Sequence, residues 1–235
     1  MNLRHIYAIV LRQFYLVRGS PSRIVPMCVW VAVDIVLWGF LTRYLGTISP
    51  GFHFVPALLG AVLLWDFLVR VMQGVTMAFM EDTWSRNFLN IFASPLTIGE
   101  YVGGLVLSSI ATSAVGLAVM LLLATTAFGL SFFAYGLMFM PFLLALFLFG
   151  VALGIVGCSI MLRFGPSAEW FVWPIPALLA PFAGVYYPIA TLPHWMQAVA
   201  HVLPPSYVFE GMRAVLAGEN PALPLWLGGI ALAVV

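Results

Sequence analysis

Three charged residues fall inside otherwise apolar stretches of this chain of 235 residues: Asp34, Asp66 and Arg70. Asp66 and Arg70 are i and i+4, so on a helix they share a face. Asp34 and Arg70 each lie ten residues in from one end of their apolar run, roughly 15 Å deep at helical rise. That matched depth makes an Asp34–Arg70 pair geometrically reasonable, and the three groups together carry a net charge of −1. An unpaired charge at the centre of a bilayer costs at least about 2.5–3.5 kcal/mol. Such groups either line a polar path or pair two helices, and both readings stand at this point.

Other chemistry is scarce. There is no H-E-x-x-H, no G-x-S-x-G and no Walker-type phosphate loop, and the nine basic residues are all Arg. His5, His53, His194 and His201 are scattered, and Cys28 and Cys158 each stand alone in apolar runs without metal-ligand or redox spacing. A net charge of +1 gives no electrostatic case for nucleic acid. The expectation is therefore a chain with no cofactor, no metal and no enzymatic activity of its own. If it moves a solute uphill, the energy comes from a partner or from an ion.

The elements that must position these residues are read from hydropathy. Hydrophobic residues make up 63% of the chain and charged ones 7%, where a soluble domain carries roughly 25% charged. With a mean hydropathy of +1.09, lipid must be the solvent for most of the surface. A span needs about 20 apolar residues. Residues 24–45, 54–80, 101–128 and 135–162 qualify, and 168–187 qualifies with kinks at Pro174, Pro176 and Pro181. A sixth run, 223–235, rises only about 20 Å and so reads as a truncated span. No signal peptide is expected ahead of these spans. With the N-terminus inside, Arg4, Arg12, Arg18, Arg23, Arg86 and Arg163 are cytoplasmic, while Arg43 and Arg213 are outside. That bias favours a cytoplasmic N-terminus.

Three further segments are neither spans nor simple loops. Within residues 1–20, Leu3, Tyr7, Val10, Phe14 and Val17 recur at helical spacing, which predicts an amphipathic helix lying in the interface. Residues 81–99 join spans two and three. There Glu81-Asp82 reads as a helix start, Trp84, Phe88 and Ile91/Phe92 form a stripe, and Ser94-Pro95 ends it. One apolar and one polar face would suit a helix at the membrane edge that meets a soluble partner. Residues 190–218 are too apolar for a solvated loop yet broken at Pro204-Pro205. A re-entrant pair of short helices packed against other spans fits.

Taken together, three stretches resemble the permease subunit of type-2 ABC exporters, a family that includes drug, Nod-factor and O-antigen exporters. They are Glu81-Asp82 with 87–96 (NFLNIFASPL), 181–188 (PFAGVYYP) with Leu192-Pro193, and 203–213 (LPPSYVFEGMR). The resemblance implies an all-α polytopic protein: a six-transmembrane-helix bundle with an N-terminal interfacial helix, a cytoplasmic coupling helix and outer re-entrant helices. It implies a homodimer or pseudo-dimer in a bacterial-type inner membrane, with two separate ATP-binding subunits that hold ATP and Mg. The coupling contact would be made by Trp84, Arg86, Phe88 and Leu89, framed by Glu81, Ser94 and Pro95. Pro204, Pro205, Tyr207, Glu210 and Arg213 would form the outer gate, locked by the Glu210–Arg213 pair. The implied function is export of an amphipathic, lipid-like, drug or glycan substrate. The alternatives are a polytopic membrane enzyme acting on lipid, or an ion-coupled transporter using Asp34 and Asp66 as proton sites.

Overall fold

A computed structural model describes residues 2–48, 54–129 and 139–218. Among them there are only helices, 3-10 turns and connecting turns. Four helices are long and apolar enough to cross a membrane: α2 (Pro21–Ile48), α3 (Phe54–Trp84), α5 (Ile98–Phe128) and α6 (Phe139–Phe164). The first residues of the fourth predicted span and all of 223–235 lie outside the described residues. Shorter helices complete the chain: α1 (Leu3–Arg18), α4 (Phe88–Ala93), α7 (Glu169–Val172), α8 (Ile175–Leu179), α9 (His194–Ala200) and α10 (Pro204–Leu216).

The central element is α3. Of its apolar stretch 67% is buried, against 22–33% for the other three long helices. In lipid there is no strong hydrophobic drive between apolar helices, so close packing needs small residues at the seams. The seam with α6 is made by Gly150 and Gly154, where an added Cβ would lie 2.9 Å from the Leu68 carbonyl oxygen and 2.8 Å from Val75 Cβ. The seam with α5 is made by Gly74 against Ser109, whose hydroxyl donates to the Val71 carbonyl at 3.1 Å. At the α4 end, α1 packs across α5, with Ile9 seated on Gly104.

Two local expectations are corrected. Glu81 and Asp82 do not start a helix; they end α3, which runs on to Trp84. A turn with Arg86 at φ +52° then separates α3 from the six-residue α4. The stripe Trp84, Phe88, Ile91 is therefore split: Trp84 is exposed while Phe88 and Ile91 pack inward. In α1 the residues that face the protein are Ile6, Ile9 and Gln13, and the predicted stripe leaves Leu3, Tyr7 and Phe14 exposed.

The proline-rich stretch 168–187 is not one regular helix. A 3-10 turn (Pro166–Ala168), α7 and α8 follow each other, with right-handed helical backbone through Trp173, Pro174 and Ala180. Each proline removes one donor from the ladder, which breaks the hydrogen-bond series without turning the chain away. Pro204 and Pro205 do not interrupt a helix; they occupy the first turn of α10, where no donor is required.

The α3–α6 seam is testable. Gly150→Leu has no room beside α3, and we expect it to cost about 1–3 kcal/mol or more. Gly99→Ala, which would meet nothing within 4 Å, is the control. Thermal melting in detergent should separate the two.

Candidate functional site

Polar side chains gather in three places along the bundle. The first is at the α1–α4 end. Asp82 has 0% exposure although it sits in the last turn of α3, where the helix dipole disfavours a negative charge. Both carboxylate oxygens are taken by Arg12 of α1, with Nη1 donating to Oδ2 at 3.0 Å and Nη2 to Oδ1. The Tyr101 hydroxyl of α5 donates to Oδ2 at 2.8 Å. The hydrogen bonds to Asp82 hold the Arg12 guanidinium above its ordinary pKa. A bidentate Arg with an added hydroxyl donor is the arrangement a buried carboxylate needs.

Glu100 makes a second tie between the same elements. It closes a capping box at the start of α5: Glu100 N–H donates to Thr97 Oγ1 at 3.3 Å, and Thr97 N–H donates to Glu100 Oε2 at 3.1 Å. The same carboxylate accepts the Asn2 backbone N–H at 2.6 Å and lies 2.9 Å from His5 Nδ1. Two carboxylates thus fasten α1 to the junctions that flank α4.

From this fastened base α4 hangs by its inner face. Phe88 packs against Phe79 in a tilted contact and edge-on against Tyr101, at ring separations of 5.1 and 6.4 Å, and Ile91 is buried. Phe88 is thus an inward anchor, not an outward contact. The outward residues are Leu89 at 82% exposure, Trp84 at 51%, and Arg86. Pro95 is exposed, while Glu81 and Ser94 are half-buried, and the Ser94 hydroxyl donates to the Ile91 carbonyl at 2.5 Å.

The second gathering is within the bundle. Among the α3 residues that keep some exposure are Asp66, Arg70, Gln73, Met77 and Glu81, at i, i+4, i+7, i+11 and i+15. They form one partly open stripe on a helix most of whose other described residues are buried. Arg70 Nε donates to Asp66 Oδ2 at 2.7 Å. The direct ion pair is thus made within α3, and Asp34 of α2 is close enough for its charge to act on both Asp66 and Arg70.

The third gathering is at the opposite end, where α10 packs on α3 and α6 through Phe209 and Met212. Arg213 Nη1 donates to Glu210 Oε1 at 3.0 Å, and Nη2 donates to the carbonyls of Gly184, Val185 (3.4 Å) and Tyr187 (2.9 Å). Glu210 Oε1 also accepts the Ile189 N–H at 2.7 Å. The pair therefore clamps the turn at 184–189, in which Gly184 takes φ +68°. Pro204 and Pro205 are buried, and the Tyr207 hydroxyl donates to the His201 carbonyl at 2.7 Å. A cleft of about 430 Å³ lined by Gln197, His201, Tyr207 and Glu210 opens beside the clamp.

Reasoning from sequence missed Arg12, Tyr101 and Glu100. Thr97-x-x-Glu100 is a capping-box pattern that signals the last of these. Nothing local signals that Arg12, spaced off the apolar stripe, turns inward to a residue 70 positions away. The sequence profile of the ABC-2 type transporter family matches residues 4–217. No curated protein matches the chain at a significant level.

Two outcomes follow from these contacts. Arg12→Ala leaves a buried carboxylate with one donor, and we expect a loss of about 3–5 kcal/mol. An Arg12→Ala/Asp82→Leu double variant should recover part of it, as read by denaturant unfolding in mixed micelles. Arg213→Lys cannot reproduce the fork that holds several carbonyls. It should speed hydrogen exchange at the Ile189 amide while leaving α6 protected.

Proposed function

Because this chain belongs to the ABC-2 type transporter family, we propose that it is the membrane-spanning permease subunit of an exporter driven by ATP-binding subunits on separate chains. Two such permeases, identical or paired as a pseudo-dimer, would stand side by side in a bacterial-type inner membrane. The N-terminus, α1 and α4 would then lie on the cytoplasmic side and α10 on the outer side. ATP and Mg belong to the partner subunits, whose closure supplies the motion.

The observation that carries this reading is the presentation of α4. A six-residue helix is too short to be stable alone, yet it offers Leu89 and Trp84 outward while Phe88 and Ile91 hold it to the bundle. Large exposed apolar groups beside Arg86 suit a cleft on a soluble partner. Glu81, Ser94 and Pro95 border that surface. The ties through Asp82 and Glu100 make α1, α4 and the facing ends of α3 and α5 one stiff unit. Force applied at α4 would therefore be passed to α3, the helix that carries the polar stripe. That stripe, with Asp34 beside it, is our choice for the wall of the translocation path, and the Arg213–Glu210 clamp for its outer gate. The substrate classes that fit such a path are amphipathic: lipid-like molecules, drugs or lipid-linked glycans.

Leu89→Asp tests the docking surface, since Leu89 makes little contact within the chain. We expect unchanged melting of the permease and an affinity for the ATP-binding subunit weakened about thirtyfold or more, the size of an interface hot spot. Transport in vesicles should fall with it. Unimpaired assembly and transport by this variant would remove α4 from the coupling role.

A further inference from the structure

The geometry points to a binding site for the positively charged group of an amphipathic organic cation, formed by Asp34, Trp38, Asp66, Arg70 and Tyr186. This assignment rests on the permease reading above and names the substrate class of its path. Asp66 and Arg70 neutralise each other through their 2.7 Å contact. Asp34 of α2, half-buried and four residues before Trp38, makes no ion pair of its own among the described residues. A carboxylate at that depth is costly until a cation meets it.

The neighbours of Asp34 decide which cation. Trp38 is at i+4 on the same face of α2, and its ring stacks on Tyr186 with centroids 5.6 Å apart and planes 19° from parallel. Tyr186 thereby extends the aromatic surface that Trp38 presents one helical turn from Asp34. Carboxylate and aromatic faces together attract a weakly hydrated organic cation such as a tertiary or quaternary ammonium. A small metal ion would want several oxygen ligands, which this cluster does not converge. An anion would find Arg70 already held by Asp66 and opposed by Asp34.

The site also touches the gate. Tyr186 lies between Val185 and Tyr187, whose carbonyls Arg213 holds. A ligand seated on the Tyr186 ring therefore bears on the clamped turn, which would link occupancy to release.

The experiment uses two ions of matched shape and opposite charge, tetraphenylphosphonium and tetraphenylborate. Their equilibrium binding is measured on the permease assembled with its ATP-binding subunit in lipid nanodiscs, with empty nanodiscs subtracted. We expect saturable binding of the phosphonium, about tenfold tighter than the borate, and about tenfold weaker in Trp38→Ala. Asp34→Asn should lose most of it and Asp34→Glu retain it, with Trp38→Ala carrying the test if Asp34→Asn does not fold. Equal affinity for the two ions, or wild-type affinity in both Asp34→Asn and Trp38→Ala, would overturn the site. Absent phosphonium binding in a complex whose ATP hydrolysis still depends on Leu89 would also overturn it and leave the permease reading intact. Failure to assemble with any ATP-binding subunit would instead strike the permease reading.

Discussion

A carboxylate with no solvent contact, placed at the negative end of a helix, is tolerable only if cations and donors surround it. Asp82 meets that condition through Arg12 and Tyr101, and each comes from a different helix. Satisfying one side chain therefore fixes the relative positions of α1, α3 and α5. Glu100 repeats the arrangement a short distance away, with Asn2 and His5 as its partners. Between the two ties hangs α4, which has too few residues to hold its own shape. The position of α4 is thus fixed by the carboxylates that flank it and by its packing, not by its own length.

The remainder of the bundle obeys a different constraint. Lipid tails are as apolar as leucine, so α3 is not held at the centre by hydrophobicity alone. It is held by close approach, with Gly150 and Gly154 on one side and Gly74 against Ser109 on the other. The single stripe of α3 left partly open carries Asp66, Arg70 and Gln73. Small residues bring the flanking helices close, and charge keeps the remaining side from being closed by them. At the far end the Arg213 fork gathers carbonyls that the proline-broken stretch leaves without helical partners.

These two ends are held together differently. At the α1–α4 end, Asp82 and Glu100 join elements distant in sequence through hydrogen bonds to Arg12, Tyr101, Asn2 and His5. The α10 end is closed by one guanidinium on one turn, beside an open cleft.

Much of this was legible in the residues themselves. Helix type, four of the apolar stretches, the membrane as solvent and the family resemblance all follow from composition, period and short motifs, because lipid imposes length and polarity rules on any spanning segment. The Glu210–Arg213 pair follows from i, i+3 spacing. Other features belonged to the tertiary structure alone. Glu81-Asp82 resembles a helix start by local rule, but α3 runs through it because Arg12 and Tyr101 arrive to neutralise the dipole conflict. Phe88 shares a helical period with Trp84, yet the turn at Arg86 sends one inward and leaves the other out. Asp66 takes the Arg one turn along its own helix as its direct partner, and Asp34 makes no ion pair among the described residues. Periodicity is a property of one segment at a time. The pairing of charges and rings depends on distances between segments, which only the assembled bundle sets.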